Sequence, residues 1–132
     1  MTINIFKKTI LLQLFLFFSM LILSIIEDTY FLFEEVDPSF TMLEGIFSIS
    51  LIVIVPFMWY FLYKLKPIGK KLFIFYLFLG AISYVVFTVD TYIVTTVTPV
   101  TPFLEFSENA LILLDGVILG FLFFTEVKEK FK

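Results

Sequence analysis

Four long apolar runs dominate the chain, and the fourth has acidic residues set inside it. Pro102 to Thr125 reads PFLEFSENALILLDGVILGFLFFT, apolar enough for a bilayer yet carrying Glu105, Glu108, Asn109 and Asp115. A helix turns about 100° per residue, so Glu105, Glu108 and Asp115 fall within an arc of about 80° on one face. Asp115 is expected near mid-membrane, where a lone charge costs about 2.5–3.5 kcal/mol on insertion scales. Such a stripe has to meet other helices, water or a cation. The earlier runs are Thr9 to Ile26, Gly45 to Tyr63 and Leu72 to Val94. The first reaches about 27 Å as a helix, close to the roughly 30 Å hydrocarbon core.

The chain is 61% hydrophobic, with 20 Phe, and only 16% charged. Soluble domains average about 45–50% apolar and about 25% charged. In lipid every backbone polar group must be satisfied internally, and short connections make neighbouring helices antiparallel. The expected fold is therefore all-α: a single up-down-up-down four-helix transmembrane bundle over residues 1–132, with spans 9–26, 45–63, 72–94 and 103–125. Lys7-Lys8 ahead of the first run would also suit a signal peptide. The core is too bulky and long for that, and no small-x-small cleavage site follows, so it reads as a retained span.

Missing residue types exclude whole chemistries. The chain has no Cys and no His, which removes haem and Fe–S ligation, thiol chemistry and the Ser–His–Asp and Cys–His arrangements. Zinc would need an all-carboxylate site, and no cofactor is expected. All the cations are Lys, so there is no bidentate Arg clamp and no Arg-type voltage sensor. A net charge of −3 without a basic soluble segment argues against nucleic acid.

The lysines fall before the first run, between the second and third (Lys64, Lys66, Lys70, Lys71), and after the fourth. By the positive-inside rule both termini are cytoplasmic. The lipid bilayer is the expected surroundings, as a multi-pass protein of the inner membrane. The Lys-only, Phe/Ile-rich usage suits an AT-rich bacterial genome. The connection from Glu27 to Glu44 is acidic and aromatic, and within it Asp37-Pro38 reads as a helix cap followed by a first-turn proline. Thr101-Pro102 reads the same way at the fourth helix. Pro56 should kink the second helix, and Trp59, Tyr60 and Tyr63 mark its exit interface. Gln13, Ser24 and Glu27 form a polar face expected to point into the bundle. Glu126 to Lys132 reads as a tail.

The two halves resemble each other. Lys7-Lys8, Asp28-Thr29-Tyr30, Pro38, Leu43-Glu44 and Lys64-x-Lys66 recur as Lys70-Lys71, Asp90-Thr91-Tyr92, Pro99, Leu104-Glu105 and Lys128-x-Lys130. Topology explains the lysine pairs but not Asp-Thr-Tyr recurring, nor Pro-x4-Leu-Glu behind it. A duplication of residues 7–66 into 70–130 would make each half an αα-hairpin, the two related by a pseudo-two-fold axis along the membrane normal.

Three functional readings follow. In the first, the chain is a small cation channel or carrier. Its path runs from an outer ring of Asp28, Glu44, Asp90 and Glu105 through Glu108 to Asp115, since carboxylate oxygens suit hard cations and protons. A bundle this narrow would conduct as a homo-oligomer. Gly116 and Gly120, four residues apart, offer a small-residue face for such contacts. In the second, it is a non-catalytic accessory or assembly subunit of a larger membrane complex, and the stripe docks a partner. In the third, paired carboxylates act as acid and base on a lipid or isoprenoid. A structural alternative for Asp115 is a hydrogen bond to Ser48, Ser50, Ser83 or Gln13 on a neighbouring helix. Glu34-Glu35 with Asp37 lacks the spacing and glycine turn of an EF-hand.

Overall fold

The apolar runs fold as helices that extend past their hydrophobic limits. A computed structural model describes residues 1–31, 42–87 and 98–131. It contains helices α1 (Thr2–Phe31), α2 (Met42–Tyr63), α3 (Pro67–Phe87) and α4 (Thr101–Phe124), then a short 3₁₀ turn, Glu126–Phe131. Among the described residues there is no strand. The Asp37-Pro38 cap, Asp90 and the end of the third run lie outside the described residues. Two helical stretches, Thr2–Glu27 and Thr101–Phe124, are long and apolar enough to cross a membrane. Many large apolar side chains point outward: Phe15, Ile25, Phe106, Leu113 and Phe124 are all exposed.

Pairing does not follow chain order throughout. α1 packs mainly on α4 and α2 mainly on α3, whereas the contact between α1 and α2 is slight. Three polar contacts pin α1 against α4 and the turn that follows it. The Thr2 hydroxyl reaches Glu126 at 3.4 Å, Gln13 donates to Asp115, and Glu27 accepts from Thr101 at 2.8 Å. The steps match: eleven residues separate Thr2 from Gln13 and Asp115 from Glu126, and fourteen separate Gln13 from Glu27 and Thr101 from Asp115. The two helices therefore run antiparallel in one register from Glu27–Thr101 to Gln13–Asp115.

The α2–α3 turn is closed without glycine. Leu65 takes the left-handed conformation at φ 55°. Its N–H bonds Leu62 O at 3.0 Å, and the Lys66 N–H bonds Phe61 O at 2.9 Å. This pair of bonds is the Schellman arrangement, which satisfies carbonyls that the helix end leaves open. Pro67 then opens α3, where its missing N–H costs nothing. Gly69 lets the helices touch: a Cβ there would sit 2.6 Å from Leu62 N and 2.7 Å from the Phe61 carbonyl carbon. α2 continues through Pro56 to Tyr63.

The hydrophobic core occupies the lysine-bearing half. Phe6, Ile10, Met58, Leu62, Phe73, Ile118 and Leu122 are fully buried there. The expected tail is part of this core. Val127 and Phe131 of the 3₁₀ turn are buried, and the Phe131 ring meets Phe6 edge-on at 5.9 Å. The turn folds back because Thr125 caps it, its hydroxyl accepting from the Val127 N–H at 3.2 Å. Lysines close this end as well. Lys70 Nζ reaches the Leu122 carbonyl at 3.3 Å and lies 4.2 Å from the Phe123 ring centroid. A cation there complements the open carbonyls and negative end of α4.

Candidate functional site

Three helices contribute one side chain each to a hydrogen-bonded chain that ends the apolar core, and the fourth sets a tyrosine beside it. Trp59 of α2 donates its indole N–H to Gln13 Oε1 of α1 at 2.8 Å. Gln13 Nε2 donates to Asp115 Oδ1 of α4. Tyr76 of α3 stands beside the same carboxyl, close enough to interact with it electrostatically. The indole can only donate, so Gln13 must turn its carbonyl to Trp59 and its amide N–H₂ to Asp115. The carboxyl is thereby held as an acceptor at Oδ1. Tyr76 differs from the others in being able to donate or accept.

Apolar packing positions these groups. Gln13 is 1% and Trp59 3% exposed. The indole is held edge-on by Phe17 at 5.1 Å, and Phe73 flanks the Tyr76 ring at 6.1 Å. On α4 the buried residues are Ser107, Leu111, Ile118 and Leu122, and Asp115, four residues after Leu111 and three before Ile118, falls on the same inward face. By the rise of a helix, the eleven residues from Thr2 to Gln13 span about 16 Å. The network is thus near the middle of a bilayer-length helix, with no buried polar side-chain atom left unpaired among the described residues.

A second polar cluster clasps the far end of α1 to the start of α4. Thr98 and Thr101 both donate their hydroxyls to Glu27 Oε1, at 2.9 and 2.8 Å. Their oxygens are then free to accept each other's backbone N–H, Thr98 N to Thr101 Oγ1 at 3.0 Å and Thr101 N to Thr98 Oγ1 at 3.2 Å. The cap expected at Thr101 is thus displaced. Val100 is the N-cap residue, Thr101 is already helical, and Thr98 receives the amides. The Glu27 carboxylate also faces the positive end of the α4 dipole.

The acidic stripe of α4 divides. Asp115 turns inward, while Glu105 and Glu108 are exposed. Glu108 lies within electrostatic reach of Glu105 and Glu27. Asp28 falls in the last turns of α1 and Glu44 near the start of α2, whereas Asp90 is outside the described residues. No three acidic residues gather in metal-binding geometry among the described residues. On α1, Gln13 and Glu27 both meet α4 as expected, but Ser24 is exposed. Of the hydroxyls weighed as partners for Asp115, Ser50 and Ser83 bond carbonyls of their own helices instead, at 2.7 and 2.8 Å. Ser48 has no described side chain, and Gln13 holds the carboxyl.

Two members of the network carry no obvious mark in the sequence. Trp59 was expected at the interface with Tyr60 and Tyr63, yet it is buried while both tyrosines are exposed. Tyr76 reads as one more aromatic in an apolar run. Its spacing is the one hint: Tyr76 follows Lys70 by six residues, as Gln13 follows Lys7. No protein-family model matches the chain, and no curated protein and no solved structure matches it.

Proposed function

We propose that this chain is a four-span membrane protein that takes up and releases a small cation, the proton foremost, at Asp115. The observation that supports this is the hydrogen-bonded chain Trp59–Gln13–Asp115 with Tyr76 beside the carboxyl, one side chain per helix in an otherwise apolar interior. An intramembrane carboxyl is expensive and is retained where it does something. Here one fixed donor, the Gln13 amide held in place by Trp59, and a reversible hydroxyl, that of Tyr76, face it. With Asp115 charged, Tyr76 donates; with Asp115 protonated on Oδ2, the hydroxyl turns and accepts. A cation entering from the acidic end meets Glu105, Glu108 and Glu27 before Asp115, and Asp28, Glu44 and Asp90 complete the proposed outer ring. The test is proton and alkali-cation flux in liposomes with the wild type and Asp115→Asn. Asparagine keeps the shape and the acceptor oxygen, so loss of flux in a folded variant is the expected result. Flux that survives the substitution overturns this path.

The proposal includes the duplication, because packing repeats along with sequence. Phe6, Ile10, Gln13 and Leu14 of α1 face inward, and so do Gly69, Phe73, Tyr76 and Leu77 of α3, at one constant offset. Met58, Trp59 and Leu62 of α2 correspond likewise to Ile118, Leu119 and Leu122 of α4. Lys7 lies over the Tyr63 ring at 4.9 Å and Lys70 over Phe123 at 4.2 Å. A pseudo-two-fold axis would also exchange the two tightest helix pairs, α1–α4 and α3–α2. The halves differ at the site: Asp115 stands where α2 has Val55, so the carboxyl is unique to one half.

An accessory-subunit role is supported by a different observation. Glu105 and Glu108 are exposed, and a Cβ on Gly116 or Gly120 would meet nothing within 4 Å. That surface of α4 is unpartnered among the described residues. A stoichiometric membrane partner that co-purifies, and is lost when both glutamates are replaced by Gln, would favour this reading over the first.

A further inference from the structure

The seam between α1 and α2 is loosely closed. α1 leans on α4 and α2 on α3, and a groove of about 300 Å³ is left between them. Its walls are apolar, with Leu11, Leu14 and Phe18 on α1 facing Pro56 and Tyr60 on α2. Trp59, almost fully buried, forms part of the lining. One end is different. There Tyr63 lines the groove and Lys7 places its ammonium 4.9 Å from the centre of that ring. The slot is therefore apolar along its length and cationic at its mouth. From Lys7 to Phe18 the helix rises about 16 Å, roughly half the hydrocarbon thickness of a bilayer.

We propose that this groove binds one acyl chain of an anionic glycerophospholipid, with Lys7 against the phosphate. The inference rests on the membrane-spanning reading above. Charge complementarity selects the ligand: the lysines of the chain cluster at this end, while Glu27, Glu105 and Glu108 lie at the other. The acyl chain lies against Trp59, whose N–H sets the orientation of Gln13 towards Asp115. Lipid occupancy and the carboxyl network thus share a residue.

Trp59 is the single Trp of the chain and reports on the groove directly. The experiment reconstitutes the full chain in phosphatidylcholine vesicles containing phosphatidylglycerol, with bromine on the acyl chains of one lipid or the other. Bromine quenches an indole that it touches. Brominated phosphatidylglycerol is expected to quench at about one-fifth of the mole fraction that brominated phosphatidylcholine needs, the enrichment that about 1 kcal/mol per lysine confers. Lys7→Gln should abolish the preference, Lys7→Arg should keep it, and Lys71→Gln on α3, outside the groove, should keep it too. Equal quenching by the two lipids in the wild type overturns the proposal. So does a preference that Lys7→Gln leaves intact, or weak quenching by both lipids because a second copy fills the groove. Flotation with the vesicles is scored first. A chain that does not float defeats the membrane reading itself, whereas one that floats and shows no preference defeats only the groove.

Discussion

Gln13 can be oriented in only one way, and the rest of the site follows from it. Trp59 lacks an acceptor, so the Gln13 carbonyl goes to the indole and the amide hydrogens go to Asp115. Trp59→Phe keeps most of the ring volume but strands a buried carbonyl, and should lower stability in detergent by about 1–3 kcal/mol. Tyr60→Phe, at an exposed neighbour, should change it little, and thermal unfolding of the two variants side by side measures the difference. A second residue-scale prediction concerns glycine. Gly69→Ala would drive a methyl into the α2 backbone 2.6 Å away, where no side-chain rotation relieves it. Overpacking of this kind costs about 1–3 kcal/mol. Gly116→Ala meets open space and should leave the monomer unchanged or gain about 1 kcal/mol from helix propensity.

At the scale of elements, α1 is matched by polar contacts to the start and middle of α4 in a single register, and to the turn that follows it. Apolar faces in contact tolerate sliding, whereas spaced hydrogen bonds with one match do not. Glu27→Ala removes the acceptor of two hydroxyls and the counter-charge to the start of α4. Hydrogen bonds to charged groups are worth about 1.5–3 kcal/mol, and a loss of that size is expected. Faster hydrogen exchange at the amides of the first turn of α4 would show that the loss is local. The 3₁₀ turn behaves as a further packing element. Removing residues 126–132 uncovers Phe6 by taking Val127 and Phe131 from the core, at about 1.5–3 kcal/mol for each side chain. The clasp at Glu27 was half legible in sequence. Gln13 and Glu27 share a helix face by spacing alone, but the two threonines that meet Glu27 lie 71 and 74 residues away, and the sequence marks Thr101 only as a cap.

For the whole molecule, the proposed orientation is open to a direct check. The chain has no cysteine, so single cysteines can be introduced at Lys8, Lys66 and Lys130 and at Ser39 and Thr96. An impermeant thiol reagent added outside intact cells should label only the last two positions. Labelling at Lys130 would show that α4 does not cross. The helices, their approximate limits and their antiparallel order are one-dimensional properties, because hydropathy and lysine placement act residue by residue on transfer into lipid. The sequence by itself therefore determined an all-helical chain, its two longest apolar helices and an acidic residue deep in the last of them. It also placed Gln13 on the interior face of α1. What only the tertiary structure decided is which polar groups meet. That Asp115 turns inward while Glu105 and Glu108 stay exposed depends on the rotation of α4 about its axis. That Trp59 leaves the interface, and that Tyr76 joins the site, depends on the register of α2 and α3. Rotation and register are set jointly by the packing of all four helices, so no stretch of the chain read alone contains them.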